Sequence, residues 1–469
     1  MKRLARLSFH VMPLLEKTLK PERLFLVIGV TMGLLFCIFT APFQVPDEFA
    51  HFYKAYQVSE LQFLPGVNAD SVGGGMLPQS FRLLEETFLW MTTQPKSTVS
   101  IERLKALLET PLAAEDRAFF TFRVSSLYAP AGYLPQAIGL RLSRLVTSSL
   151  LGNFYLGRMV NLLFWAAITY WAIRITPVQK WVMFVFALMP MTIAEAASYS
   201  IDGFLNSLSF LYFALILRLA LDANARVSWK TVGVWAALMT VITLAKPAYL
   251  ALALFVLFIP PARFGSRLRG WLSFFLVSLI PLLAYFLWLQ ALRWRGLDLS
   301  PADGIIPALQ VQWILSHPLE YLKILLETYS DLALPFIVGF IGYYGWLNQP
   351  LPVYIYPLFI LFSFYVILFD RDAPQARLRS WQRLLVIVIL LLSLASIATS
   401  IYVITDPLAH PQIEGIQGRY FIPISVFLGL ALYLPILRIN PWLLRILTPA
   451  ISLWFVILGL QTALQRIAF

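Results

Sequence analysis

Eleven long apolar runs punctuate the sequence, at Leu24–Ala41, Phe154–Ile173, Trp181–Ala197, Phe204–Leu221, Val232–Ala245, Tyr249–Ile259, Trp271–Leu292, Pro352–Phe369, Leu384–Ile404, Phe421–Leu437 and Leu443–Leu464. A helix needs about 20 apolar residues to cross a bilayer core, somewhat fewer where protein shelters it. The runs therefore predict an all-α polytopic integral membrane protein with about eleven transmembrane helices. The fifth and sixth runs are short and meet at Lys246-Pro247, so they can form one broken pair. The chain is 59% hydrophobic and 13% charged, with mean hydropathy +0.75. Soluble domains carry about 45–50% apolar and about 25% charged residues. A soluble enzyme, a disordered chain and a nucleic-acid-binding domain are excluded on that ground. Cys37 is the single cysteine, so no intrachain disulfide and no cysteine metal cluster can form.

Charge orients the runs. Lys2, Arg3, Arg6, Lys17, Lys20 and Arg23 precede the first run, which is expected to be a retained anchor with its N-terminal side inside. Two further apolar stretches confuse the count: Leu127–Val146, with Arg141 and Arg144, and Tyr321–Trp346, with Glu327 and Asp331. If neither crosses, 20 of the 36 Lys and Arg fall inside with five acids, and 16 fall outside with 19 acids. If Leu127–Val146 crossed, every later basic loop would move outside. Both stretches are therefore expected on the outer surface, interfacial or re-entrant. Leu134, Ile138, Leu142 and Leu145 make an apolar stripe that suits that position. The net charge of +12 then reports inside loops rather than nucleic acid. One domain, 1–469, results, with a first external segment at 42–153 holding juxtamembrane helices and a second at 293–351.

Polar residues gather on the outer side. Directly after the first run comes Pro46-Asp-Glu-Phe-Ala-His-Phe-Tyr53. Pro46 can open a helix whose positive end suits Asp47 and Glu48. At helical spacing Phe49, Phe52, Tyr53 and Tyr56 share one face. Asp47, His51 and Lys54 share the opposite face, expected toward water, with Glu48 at its edge. The arrangement reads either as a capped surface helix or as a general base with a histidine beside it. Two carboxylates and one histidine fall short of a complete metal site. Asp202, in Ser198-Tyr-Ser-Ile-Asp, can cap the helix that follows, and Arg158 and Lys246 can be snorkelling cations. Arg419 stands at the mouth of a run between Gly418, for close backbone approach, and Tyr420, for stacking. Its guanidinium suits bidentate phosphate binding. His317 and His410, each before a proline, suit turns.

An acidic motif after the first span, in a long external loop, resembles the GT-C superfamily of membrane glycosyltransferases. Pro-Asp-Glu-x-x-His-Phe-Tyr at 46–53, Ser-x-Asp-Gly at 200–203, Lys-Pro at 246–247, Gly-Trp-Leu-Asn at 345–348 and Gln-Gly-Arg-Tyr-Phe-x-Pro at 417–423 are similar to a bacterial membrane-protein family of unknown function that is itself thought GT-C-like. The resemblance implies a GT-C-like fold in the bacterial inner (plasma) membrane, with its active site facing outward. It implies a polyprenyl-phosphate sugar as donor, a glycan, lipid or protein as acceptor, and an inverting transfer with Asp47 as base and Glu48 assisting. It places His51, Arg158, Asp202, Lys246, Arg419 and Tyr420 among the substrate-binding candidates, with Arg419 first for the leaving phosphate. Some GT-C enzymes need a divalent cation; here no obligatory metal is expected, because acidic ligands are few. The competing readings are a lipid-linked saccharide transporter or flippase, and a polysaccharide polymerase or ligase. Transporters place binding groups at mid-membrane on broken, repeated helices. Here the ionisable residues collect at the outer ends of the runs.

Overall fold

The computed structural model describes residues 19–94, 96–299, 304–370, 378–433 and 441–468. Of the charges that orient the chain, Lys2, Arg3, Arg6, Glu16, Lys17, Arg371, Asp372, Arg377 and Arg438 lie outside those residues, as does the end of the tenth apolar run.

Helix α1 (Pro21–Phe39) leads into the segment expected to be external, called the outer segment below. That segment holds α2 (Glu48–Ser59), an antiparallel sheet of β1 (Gly66–Val67), β2 (Gly73–Pro78) and β3 (Arg117–Thr121), and α3 (Leu134–Val146). Next come α4 (Leu150–Ile175), α5 (Lys180–Ala187), α6 (Pro190–Ala196), α7 (Ile201–Leu221), α8 (Trp229–Ala245), a 3-10 segment at Pro247–Phe258 and α9 (Arg267–Trp294). The rest is α10 (Pro318–Asp331), α11 (Ala333–Ile341), α12 (Ile355–Phe369), α13 (Ser380–Thr405), a 3-10 turn at Gly418–Ile424 running into α14 (Ser425–Ala431), and α15 (Pro441–Leu464). Serines start three of the long helices. The hydroxyls of Ser149, Ser228 and Ser266 accept the N–H of Gly152, Thr231 and Arg269, satisfying donors that a helix cannot.

Six described helices, α1, α4, α7, α9, α13 and α15, are long and apolar enough to cross a membrane. The α10–α11 pair, bent by 60°, makes a seventh if it is one span. The chain is thus an all-α integral membrane protein in its apolar part, but the expected eleven crossings are not established by helix length. Prolines explain part of the shortfall. Pro190 separates α5 from α6, and Pro247 ends α8 after 17 residues and opens a 3-10 segment of 12. Proline has no N–H to continue a helix and disfavours the helical backbone of the residue before it.

The outer segment departs from expectation in two ways. It is not built of helices alone. Gly73-Gly-Gly-Met-Leu-Pro78 is poor in helix formers, and it pairs along its whole length with Arg117–Thr121. Nor does α2 show a polar face to water. Every residue from Glu48 to Ser59 except the half-buried Phe49 is buried, His51 and Lys54 included. The sheet, α3 and α4 close over it. Phe52 packs on Phe81 and Phe154, and Tyr53 on Phe120. Burying such rings stabilises by about 1.5–3 kcal/mol each, which outweighs leaving two polar groups in water. By contrast, Leu134, Ile138, Leu142 and Leu145 of α3 are all exposed, as their stripe predicts for a surface helix. Beside that stripe, Arg141 and Arg144 donate to the Ser59 carbonyl and tie α3 to the end of α2.

Candidate functional site

Five charged side chains converge where α2, α6, α7, α8 and the Gly418–Ile424 turn meet. Asp47 stands immediately before α2 in the left-handed backbone region, φ 62°. Non-glycine residues seldom adopt that conformation, and where they do it repays inspection. Its carboxylate makes no hydrogen bond to the helix it precedes, so it is not acting as a cap. It is 54% exposed and lies 3.6 Å from the Arg419 guanidinium. Arg419 itself is buried, and also contacts Glu195 at 2.9 Å and Asp202 at 3.8 Å. Lys246 reaches Asp202 at 2.5 Å and lies over the Tyr420 ring at 4.2 Å. Three carboxylates thus surround two cations.

Local sequence explains the convergence. Gly203 sits where any side chain would strike the backbone of Ala196, so the starts of α7 and the end of α6 touch and bring Asp202 to Glu195. The helix start there is capped by Ser200, whose hydroxyl accepts the Asp202 N–H. That corrects the capping role expected of Asp202 and frees its carboxylate for the cations. Gly418 provides close approach, as expected, but to the chain's own α11, since a Cβ would run into the Phe336 carbonyl. Lys246 takes an extended backbone before Pro247, which turns it out of the helix line toward Asp202.

His51 faces this cluster from α2. Its Nδ1 pairs with the Tyr133 hydroxyl at 2.7 Å, and its ring stacks on Tyr128. Burial pushes the imidazole down to about 4, against the pull of Asp47 and Asp202, so the ring is neutral at neutral pH.

Two expected site residues are engaged elsewhere. Glu48 does not sit at an exposed edge. It is fully buried, and Arg158 grips both of its oxygens at 2.8 and 2.5 Å. Arg158 also donates to the Cys37, Thr40 and Ala41 carbonyls at the end of α1, and Glu48 accepts the N–H of Tyr199 and of Phe43. This is not a snorkelling cation. It is a clamp that ties α1, α2, α4 and the loop before α7 together, and it holds Asp47 one residue away in its unusual backbone.

Over residues 30–428 the chain matches the model of a family described as predicted membrane protein, DUF2142. The chain belongs to that family. No curated protein and no solved structure matches it. The whole DUF2142 cluster falls within the matched residues, as do the clamp and α2, whereas α15 lies beyond them. Among the described residues no group of three or more His, Cys, Asp or Glu is placed to hold a metal ion. Three residues at the cluster escape the sequence reading: Glu195, Tyr128 and Tyr133. Glu195 carried a signal, because an ionisable residue inside an apolar run, here Trp181–Ala197, marks a functional site by default. The tyrosines carried none.

Proposed function

We propose that this protein is a glycosyltransferase that moves a sugar from a polyprenyl-phosphate carrier to an acceptor hydroxyl at the outer membrane face, with inversion. The acceptor oxygen attacks the anomeric carbon, its proton passes to the Asp47 carboxylate, and the bond to the carrier phosphate breaks. The observation that carries the proposal is Asp47 itself. It is an accessible carboxylate at the rim of a buried charged cluster, it does no capping work, and an arginine fixes its orientation. A general base must be reachable, and a positioned one contributes about 10²–10⁴-fold.

The cations divide the remaining work. Arg419 is buried among three carboxylates, so its role in this reading is to orient Asp47. Lys246 is more exposed, 17% against 3% for Arg419, and takes the developing charge of the leaving phosphate. Tyr420 and the neutral His51 line the same space and suit sugar hydroxyls. Glu48 and Arg158 support the frame. The acceptor class, whether glycan, lipid or protein, is set by parts of the acceptor beyond its hydroxyl.

The fold we propose is GT-C-like, with eleven crossings and the cluster outward from a bacterial inner membrane. End-to-end contacts support that count. Both α4 and α7 start at the Glu48 clamp, so α5 and α6 must carry the chain back between them. The far end of α5 is held by Asp370, just after α12, which accepts the Trp181 and Val182 N–H groups. Gln382, at the start of α13, donates to the Phe258 carbonyl, so the Pro247–Phe258 segment runs from the cluster to the opposite side. Arg383 likewise reaches the Tyr433 carbonyl after α14.

The test is release of polyprenyl phosphate from a labelled donor by the purified protein. Release by wild type and not by Asp47→Asn is expected. Movement of intact donor across a bilayer without release would favour the flippase reading, which the 60° bend between α10 and α11 also suits.

A further inference from the structure

Glu195 has a second face. Its Oε1 accepts from Arg419, but it also lines a small cavity whose wall includes neither Arg419, Asp202 nor Lys246. The cavity's polar lining, besides Thr40, Tyr343 and Gln349, is Gln44, after α1, Glu195 on α6, Tyr344, before α12, and Arg466, just past α15. Four buried atoms on those side chains have no hydrogen-bond partner among the described residues: Gln44 Oε1, Glu195 Oε2, Tyr344 OH and Arg466 Nε. The rest of each anchor is fixed. Gln44 Nε2 donates to the Phe88 carbonyl at 3.1 Å, and Arg466 donates to the Gln94 carbonyl at 2.6 Å and to Asn348 Oδ1 at 3.2 Å. The leftover atoms cannot swing away to find partners of their own.

Buried polar atoms are seldom left unsatisfied, and four around one cavity call for a shared polar occupant. Charge and size restrict it. One carboxylate and one guanidinium face the space, so neither a lone anion nor a lone cation is favoured. Two donors and two acceptors suit a neutral molecule that both gives and takes hydrogen bonds. About 20 Å³ is open to water centres, and one water needs roughly 10–15 Å³ of such space.

We propose that this cavity is a hydration site for one or two water molecules, and that these waters keep Glu195 ionised so that it positions Arg419 against Asp47. A carboxylate bonded at only one oxygen in a buried place would shed its charge by taking a proton. Arg419 pairs with the other oxygen, Oε1, while Oε2 has no hydrogen-bond partner among the described residues. Across the cavity stand Arg466, Tyr344 and Gln44, whose unpaired atoms complete the shell through water. Glu195 is thus a positioning residue, and its effect passes through Arg419.

Infrared difference spectra of the full-length purified protein test this, with Glu195→Gln assigning the signal. At neutral pH the wild type should show Glu195 as a carboxylate. Ala463→Leu, which fills the wall, should shift that signal to a protonated carboxyl, and Tyr344→Phe, which removes one hydroxyl at nearly constant volume, should shift part of it. A high-resolution structure should show compact density within reach of Glu195 Oε2 and Arg466 Nε. A protonated Glu195 in wild type, a dry or lipid-filled cavity, or an unshifted signal in Ala463→Leu would overturn the proposal. Should Ala463→Leu not fold, Tyr344→Phe and the density still decide. None of these readouts uses turnover, so they stand or fall apart from the glycosyltransferase reading.

Discussion

Neighbouring acids in the chain, Asp47 and Glu48, have opposite fates, and the contrast gives two predictions. Among the described residues Asp47 is accessible and pairs with Arg419, whereas both Glu48 oxygens are taken by Arg158 in a site closed to water. Asp47→Asn keeps the shape and removes proton acceptance. Transfer should then fall by about 10²–10⁴-fold while donor binding, measured with labelled carrier, stays within error of wild type. Near-normal transfer would strip Asp47 of its role. Breaking the clamp should act on folding instead. Arg158→Ala leaves a buried carboxylate unpaired, a loss of about 3–5 kcal/mol, read as a lower thermal midpoint and a smaller monodisperse fraction in detergent. Glu48→Gln should show the same direction, with the surviving folded fraction turning over near the wild-type rate. A folded, stable Glu48→Gln with Asp47-like loss of transfer would return Glu48 to the chemistry. The motif at 46–53 revealed that these residues matter, but not which acid was free, because the partner of Glu48 lies 110 residues away.

At the scale of the element, α2 shows how far periodicity reaches. Spacing correctly assigns which residues share a face, since that follows from 3.6 residues per turn. It says nothing of what covers that face. The cover is a sheet whose strands join 73–78 to 117–121, and short strands with three glycines leave little trace in sequence. The consequence is a lysine inside the protein. Among the described residues Lys54 donates to Gln57 Oε1 and the Phe63 carbonyl and lies over the Trp288 ring, and burial pushes its ammonium down to about 7 from 10.5. Between those values the unfolded chain holds the proton and the folded one does not. Stability from this group is therefore full above pH 10.5 and is lost as pH falls toward 7. The thermal midpoint of wild type should climb relative to Lys54→Met as pH rises from neutral toward 10, and parallel curves for the two proteins would place the amine in water. His51 offers the matching control. Its folded value of about 4 lies below neutrality, so it predicts no change over that same range.

For the whole molecule, the question is which way the cluster faces, and our proposal that it faces outward joins loop charge to the contacts at the two ends of α9. The sequence puts Arg263, Arg267 and Arg269 inside because short basic loops stay there. Independently, α9 begins beside that loop, where Arg269 donates to the Val227 carbonyl, and ends against the outer segment. There Trp288 donates to the Leu127 carbonyl and the Asp298 N–H to the Ser71 carbonyl. A helix of 28 residues spans about 42 Å at 1.5 Å per residue, enough to separate the two sides of a bilayer. Gly265, in the Arg263–Arg269 loop, has open space around its Cα, so a side chain fits without contact, although its φ of 82° makes the substitution locally strained. In a Cys37→Ala background, Gly265→Cys should therefore resist an impermeant thiol reagent added to intact cells and react once the membrane is opened. A cysteine at Arg295, at the other end of α9, should do the reverse and label from outside. Labelling of position 265 from outside would invert the molecule. Asp47, Lys246 and Arg419 would then face the cytoplasm, and an outer-face transfer would no longer be tenable.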